Sequence, residues 1–228
     1  MCKVKMTARG EDDPTAARTS YVLLQDRPVT AGDKHRMGIV VAYMSMSLDG
    51  FIAGPDVSIA HPMGVGGERL HEWLFAPDRD AADSQAAGEM FSHETTGAVL
   101  MGNTTFTVGE GPWGDDGAFG MPCFVVTRHA RPMLRKQETT FTFVTGGLAD
   151  AFEQARRAAA GKNVNVMGAN AIQQVLAAGV LDELHISLIP VALGSGVPLF
   201  APGSRYEFER TRTIESSAAT HIRLRVRK

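Results

Sequence analysis

The fold is decided by one stretch of the chain, Val164-Asn165-Val166-Met167-Gly168-Ala169-Asn170, which continues as Ala171-Ile172-Gln173-Gln174-Val175-Leu176. Its first half is a short apolar run typical of a buried strand, and its second half has the spacing of an amphipathic helix. The turn between them consists of small residues, which leave the first backbone N–H groups of the helix accessible. Such a turn can hold a pyrophosphate through these donors and the positive end of the helix dipole. Many strand-to-helix turns bind no ligand, so the turn alone does not establish a site.

Strands and helices alternate on both sides of this stretch. Upstream, runs that predict strands lie at 38–44, 98–101, 123–127 and 141–145. A helix with Phe152, Ala155 and Ala159 on one face is expected before Val164. Downstream, the pattern predicts the end of a helix at Gly179, a strand over 183–191, and two antiparallel strands at about 205–214 and 218–227. This order predicts an α/β fold in which a mixed sheet carries helices on both faces.

Length and composition indicate one domain with an extension. Residues 1–36 are polar and rich in turn formers, so we expect a disordered extension, a folded domain over 37–228 and a natural start at Met37. A formal net charge of −2 gives no electrostatic reason to expect nucleic acid or a membrane as a partner. The chain has 2 cysteines and no apolar run of transmembrane length, so we expect a soluble cytoplasmic protein.

Two more turns follow predicted strands and carry phosphate-binding chemistry. In Gly102-Asn103-Thr104-Thr105, glycine permits close backbone approach, and the hydroxyls can either bind phosphate or cap a helix. In Thr127-Arg128-His129, a hydroxyl and a guanidinium suit a monoester such as the 2′-phosphate of NADP, but by itself this pattern favours a solvated loop arginine. With Gly168-Ala169-Asn170 these make three candidate turns. None of them matches G-x-G-x-x-G, so a conventional Rossmann domain is not supported.

Further candidates lie between the first strand and the second. The loop from Ser47 to Asp56 contains the turn pair Asp49-Gly50 and the apolar pair Phe51-Ile52, which can cover a flat ring or pack on the core. Next, His71 and Glu72 fall off the apolar stripe of a helix that includes Trp73. They face either solvent or a cleft, where one of them could protonate a substrate.

One tryptophan lies in a loop, and the histidines form no metal-binding pattern. Trp113 lies in a Gly/Pro-rich loop, which suggests a pocket wall or a subunit contact. The 7 histidines are scattered and no paired-cysteine or H-E-x-x-H motif exists, so we expect no metal site.

Taken together, the motifs resemble the dihydrofolate-reductase-like family, in the branch named for the C-terminal reductase domain of bacterial riboflavin biosynthesis (RibD). The similar segments are 47–54, 101–106, 181–190 and 193–200, within a resemblance that covers about 38–227. The resemblance implies a three-layer fold with a mixed, mostly parallel sheet of about eight strands and a C-terminal antiparallel hairpin. It also implies NADPH as hydride donor and, frequently, a homodimer.

By position, the resemblance assigns cofactor contacts to the three turns and to the first loop. These residues are Ile52, Ala53, Gly102, Asn103, Thr104, Thr105, Thr127, Arg128, Gly168, Ala169, Asn170 and Ala171. The catalytic candidates are Glu72, His71 and Asp49, and the substrate-contact candidates are Trp73 and Trp113. Two departures leave the substrate open: Met167-Gly168-Ala169 replaces a glycine pair, and Val166 replaces the acid of the riboflavin-pathway enzymes.

The expected function is an NADPH-dependent reductase that transfers hydride to a C=N or C=O bond of a small planar, pteridine- or pyrimidine-like metabolite. The alternative is a catalytically silent nucleotide-binding or dimeric scaffold protein of the same fold.

Overall fold

A computed structural model describes residues 38–90 and 92–228. The predicted extension at 1–36 and the expected start at Met37 lie outside these residues. The strands are β1 Val40–Ser47, β2 Phe51–Ala53, β3 Thr96–Gly102, β4 Pro122–Val126, β5 Leu134–Lys136, β6 Thr139–Val144, β7 Asn163–Met167, β8 Glu183–Ile189, β9 Val197–Pro198, β10 Phe208–Glu215 and β11 Thr220–Val226. The α-helices are α1 Glu72–Phe75, α2 Ala81–Met90, α3 Asn103–Gly109, α4 Gly147–Ala158 and α5 Ala169–Ala177, and a 3-10 helix, Gly67–Leu70, precedes α1.

The main sheet has 9 strands in the order β10-β11-β8-β1-β7-β3-β4-β6-β5. The six adjacent strands β8, β1, β7, β3, β4 and β6 run parallel to one another, and β10 and β11 form the antiparallel hairpin predicted from the sequence. The mixed, mostly parallel sheet is therefore confirmed. Two features were not predicted: β5 adds an antiparallel edge, and β2 pairs with β9 in a separate two-stranded sheet.

Alternate side chains of each central strand enter different cores. Ala98 and Leu100 of β3 belong to the largest cluster, which is covered by α4 and α5, whereas Val99 and Met101 belong to a second cluster with Phe106 of α3. A third cluster contains Leu70 and Trp73 beneath α2. Because successive strand residues point to opposite faces, helices lie on both sides of the sheet, as expected.

The helix ends also follow from the sequence. α4 and α5 end just before Gly161 (φ 88°) and Gly179 (φ 67°), which adopt the left-handed conformation that glycine tolerates best. Since the central strands are parallel, the segments that follow β1, β3, β4, β6 and β7 all emerge at one edge of the sheet. In open parallel sheets this carboxyl edge is where ligands bind.

Candidate functional site

The three candidate turns meet at the carboxyl edge of the sheet. β3 lies between β7 and β4, with Met101 opposite Met167 and Gly102 opposite Val126. The turns that follow these three strands are therefore neighbours in space, although more than 60 residues separate the first from the third in the chain. The strand order brings 102–105, 127–128 and 168–171 together.

A direct contact joins the first and third turns. A Cβ atom on Gly168 would lie 2.2 Å from the Thr105 hydroxyl, and Gly168 has φ +87°. Both facts favour glycine at this position. The neighbouring Met167 is the last residue of β7 and packs against the second core cluster, so its side chain is part of the core.

Three helices at this edge begin after a glycine. The residues before α3, α4 and α5 are Gly102, Gly146 and Gly168, and among the described residues no side chain caps these three helices. Their first backbone N–H groups are therefore available to a ligand. A Cβ atom on Gly102 would meet no described atom within 4 Å, so the turn faces open space. Gly146 was not among the candidates predicted from the sequence.

These features fit a dinucleotide pyrophosphate, since a phosphate oxygen needs close access to backbone donors at a helix N-terminus. The side chains of the turns have local partners of their own. Asn103 donates to Thr107 Oγ1 at 3.4 Å, and Asn170 Oδ1 accepts from Gln174 at 2.5 Å, both within their helices. Thr104 is exposed, and Ala169 is half-buried beside the buried Ala171. The fit therefore depends on the backbone more than on these side chains.

Thr127 and Arg128, the two candidates in the turn after β4, have different surroundings. Thr127 is buried, and its hydroxyl accepts a hydrogen bond from the His129 backbone at 3.1 Å. Arg128 is exposed and has no ion pair with any other described residue. Thr127 thus shapes the turn, whereas the Arg128 guanidinium is available to an anion.

Asp49 is engaged in the loop that follows β1. Its Oδ1 accepts from the Ser47 hydroxyl at 2.5 Å and from Leu193 N at 3.1 Å, and its Oδ2 accepts from Gly194 N at 2.7 Å. The Ser47 hydroxyl, aided by the two backbone donors, holds the pKa of the Asp49 carboxyl below its ordinary value. The carboxylate therefore joins two loops, and an ionised group in these bonds is poorly suited to donate a proton.

The apolar residues of this loop are partly core. Ile52 is buried in the largest cluster, which also contains Leu199, whereas Ala53 is half-buried. The surrounding backbones approach closely: a Cβ atom on Gly196 would lie 2.1 Å from the Ala53 carbonyl oxygen, and one on Gly64 would lie 2.2 Å from the Gly54 carbonyl oxygen. Glycine at these positions lets the loops stack over the end of β1.

His71 and Glu72 have different surroundings. Glu72 is exposed and forms an ion pair with Arg69. His71 is half-buried, and burial lowers the pKa of its imidazole. Its Nδ1 atom is buried without a hydrogen-bond partner among the described residues. A neutral imidazole with an unpartnered ring nitrogen is the more suitable of the two for a hydrogen bond to a ligand.

The two tryptophans lie in separate cores. Trp73 is 2% exposed, and its Nε1 donates to Ser45 Oγ of β1 at 2.9 Å. Trp113 is half-buried, stacks on Phe141 with centroids 6.0 Å apart and packs against the second cluster, and its expected role as a pocket wall or subunit contact stays a prediction. Both rings contribute packing to the fold.

A buried acid that the sequence analysis missed lies on α2. Asp83 Oδ1 is 2.8 Å from His221 Nε2, and His221 Nδ1 is 2.9 Å from Ser187 Oγ. All three residues are buried, and His221 and Ser187 are paired in register on β11 and β8. The partners are 138 residues apart in the chain, so no local pattern could have revealed them.

A cleft on the same sheet face lies away from the carboxyl edge, beside α2. Its polar residues include Tyr43, Glu89, His185 and Arg223. Glu183 and His185 share a strand face, as the alternation predicts, and are joined at 2.9 Å. Glu89 bridges Arg212 and Arg223 at 2.5 and 2.8 Å, so the charges of this cleft are largely paired.

The described residues include neither a cluster of metal ligands nor a membrane-spanning helix. Within 38–90 and 92–228, no three His, Cys, Asp or Glu side chains are grouped as metal ligands. In the same part of the chain, no helix has both the length and the apolar character needed to cross a bilayer.

Comparison with known proteins agrees with this architecture. Residues 39–220 match the family described as RibD C-terminal domain. A Bacillus subtilis (strain 168) protein, described as uncharacterized protein YwjB, is 29% identical over 166 residues, which cover 70% of this chain and 81% of the relative.

Solved structures show the same fold. A putative riboflavin biosynthesis protein from Shewanella sp. PV-4 has a TM-score of 0.64 at 20% identity, covering 83% of this chain and 99% of that one. Dihydrofolate reductase from Enterococcus faecalis, complexed with NADP(H), has a TM-score of 0.50 at 14% identity, covering 84% and 98%. The dihydrofolate-reductase-like fold predicted from the sequence is confirmed.

Proposed function

The chain belongs to the RibD C-terminal domain family, and from this premise we propose that it is an NADPH-dependent reductase. Its substrate is a small planar, pteridine- or pyrimidine-like metabolite that accepts hydride at a C=N or C=O bond. The observation that carries the proposal is the meeting of three turns at one sheet edge, where helix N-termini begin after glycine and Arg128 is free for a phosphate. The Enterococcus reductase of the same fold holds NADP(H).

In this proposal the backbone N–H groups after Gly102 and Gly168 bind the pyrophosphate, and Arg128 binds the 2′-phosphate. The loop around Ile52 and Ala53 covers the nicotinamide, mainly through its backbone because the Ile52 side chain is buried. NADPH, when bound, supplies the hydride. The residues of the chain hold donor and acceptor carbons in contact and exclude water.

His71 is proposed to hold the substrate or an ordered water through a hydrogen bond of its neutral imidazole, and the water supplies the proton. Its neighbour Glu72 is paired with Arg69 at the surface, Asp49 holds backbone donors, and Asp83 is occupied by His221. Trp73 and Trp113 are not assigned to substrate contact, since both pack in cores.

Titration of the full chain with NADPH and with NADH tests the cofactor. We expect sub-millimolar binding of NADPH, seen as a change in nicotinamide fluorescence, and weaker binding of NADH. Absence of binding by both would contradict the proposal. Oxidation of bound NADPH is then followed with dihydrofolate and with a phosphoribosylamino-pyrimidine. Tight binding without turnover of any planar acceptor would favour the alternative, a silent nucleotide-binding protein.

A further inference from the structure

The segment that follows β8 returns to the loop after β1 and forms the β2–β9 ribbon, made of Phe51–Ala53 and Val197–Pro198. Its attachment to the β1 loop is extensive. Asp49 accepts hydrogen bonds from the backbones of Leu193 and Gly194, and Leu199 N donates to the Gly50 carbonyl oxygen at 3.0 Å. These bonds fix the ribbon to the strand end that it covers.

A separate attachment reaches the ribbon from α5. Gln173 is half-buried, and its Nε2 donates to the carbonyl oxygens of Pro198 and Leu199 at 3.0 and 3.3 Å. One amide group thus supplies hydrogen bonds to two successive carbonyl groups of the returning segment. Its chain neighbour Gln174 bonds within the helix instead, to Asn170.

Gln173 lies on the helix whose first turn begins at Gly168. The first hydrogen bond of that helix runs from Ile172 N to the Gly168 carbonyl oxygen, at 3.0 Å, so Gln173 is just over one turn from the phosphate-facing end. The same helix therefore presents the pyrophosphate donors at its first turn and the Gln173 amide, which binds the ribbon, about one turn later. The distance between these two points is fixed by the helix itself.

We propose that Gln173 is a positioning residue for the cofactor: it sets the β2–β9 ribbon, which faces the nicotinamide, at a defined distance from the pyrophosphate-binding turn. The inference rests on the proposed function. Gln173 acts through the ribbon backbone and touches neither phosphate nor nicotinamide. Its loss is expected to leave the phosphates bound and the nicotinamide poorly held.

The test compares NADPH with 2′-phospho-ADP-ribose, which has the same phosphates and lacks the nicotinamide. Gln173→Met keeps the length and removes both hydrogen bonds. We expect it to weaken NADPH binding about tenfold and binding of the fragment by less than about twofold. Gln174→Met, on the same helix, is the matched control and is expected to change neither affinity. Gln173→Lys restores N–H donors, and its added charge acts on both ligands alike. The ratio of NADPH affinity to fragment affinity should therefore return towards that of the wild-type protein.

The outcomes distinguish a positioning role of Gln173 from a general structural role. Equal losses of NADPH and fragment in Gln173→Met, with Gln174→Met unchanged, would show a general structural role and overturn the positioning role. Unchanged affinities in a folded Gln173→Met protein would overturn it as well. If the wild-type protein binds the fragment and NADPH equally, the ribbon does not hold the nicotinamide and the inference fails. If it binds neither, the proposed function itself fails.

Discussion

Arg128 follows the end of β4 and projects from the sheet edge where the three turns meet. Its side chain is exposed, and within the described part of the chain it has no ion pair to lose when an anion binds. A guanidinium binds a phosphate monoester through paired, charge-assisted hydrogen bonds, which are stronger than neutral ones. In the proposed function, Arg128 is the residue expected to distinguish NADPH from NADH.

Arg128→Ala is expected to weaken NADPH binding by about ten- to a hundredfold, the range of charge-assisted hydrogen bonds, and NADH binding by less than about twofold. Fluorescence titration with both dinucleotides measures the change. Arg135→Ala is the control, because Arg135 is exposed on β5 and pairs in register with Thr140, near the start of β6 and away from the carboxyl edge. Equal losses of both dinucleotides would contradict a 2′-phosphate contact.

His71 makes the free energy of unfolding depend on pH, and the sign of this dependence follows from the burial of its imidazole. The pKa of His71 in the folded protein lies below its ordinary value because burial penalises the imidazolium. As the pH falls below about 6.5, the unfolded chain therefore takes up this proton before the folded protein does. The stability contributed by the neutral imidazole is present above that pH and is lost as the pH falls towards the lower folded pKa.

His71→Gln is accordingly expected to reduce the loss of unfolding free energy between pH 7.5 and about pH 5.5. Urea denaturation at several pH values measures the slope. His61→Gln serves as the control because His61 is exposed, and it is expected to leave the slope unchanged. A slope in His71→Gln as steep as that of the wild type would show that His71 does not titrate in this way.

At the scale of elements, Gly168 joins a strand, a helix and a neighbouring turn. The strand-turn-helix pattern was evident in the sequence, because the apolar period changes from that of β7 to that of α5 at the glycine. The contact with Thr105 was not evident, since it depends on β3 lying beside β7. Gln173 and Gly146 were missed for a similar reason: glutamine on a helix and glycine at a helix start are common without any ligand.

Gly168→Ala is expected to lower the unfolding free energy by about 1–3 kcal/mol, since the new Cβ atom meets the Thr105 hydroxyl and φ is positive. Gly102→Ala is the matched control: this glycine also begins a helix, but its φ is −80° and its Cβ atom would be unhindered. We expect its effect on stability to stay below about 0.5 kcal/mol. Denaturant unfolding of both variants decides, and similar losses would show that the Thr105 contact is unimportant.

α2 is held to the sheet by a buried hydrogen bond between Asp83 and His221. Asp83→Ala leaves the His221 ring nitrogen without its partner and is expected to destabilise the protein by about 3 kcal/mol. Asp78→Ala, at an exposed position before the same helix, should change the unfolding free energy by less than about 0.5 kcal/mol. A small effect of Asp83→Ala on thermal or urea unfolding would show that apolar packing and the Glu89 ion pairs hold α2 without this hydrogen bond.

At the scale of the whole molecule, the sequence predicts that residues 1–36 form a disordered extension and that the folded domain spans 37–228. On that prediction, a protein that lacks residues 1–36 is expected to unfold at the same denaturant concentration as the full chain. A marked loss of stability would show that the first segment packs on the domain. The homodimer implied by the family resemblance stays a prediction, which sedimentation of the full chain tests against the mass of one chain and of two.

The sequence by itself determined the α/β class, the succession of the main strands and helices along the chain, and the three turns with phosphate-binding chemistry. These features depend on the local apolar periodicity, on the positions of glycine and on helix-capping preferences, all of which are evident from residues close together in the chain. Only the tertiary structure decided which turns are neighbours, that Trp73 is buried and Trp113 packs against a core cluster, that Asp49 joins two loops, and that Asp83 is buried against His221. Each of these depends on the order of strands in the sheet. That order is fixed by packing between distant segments, and no local pattern encodes it.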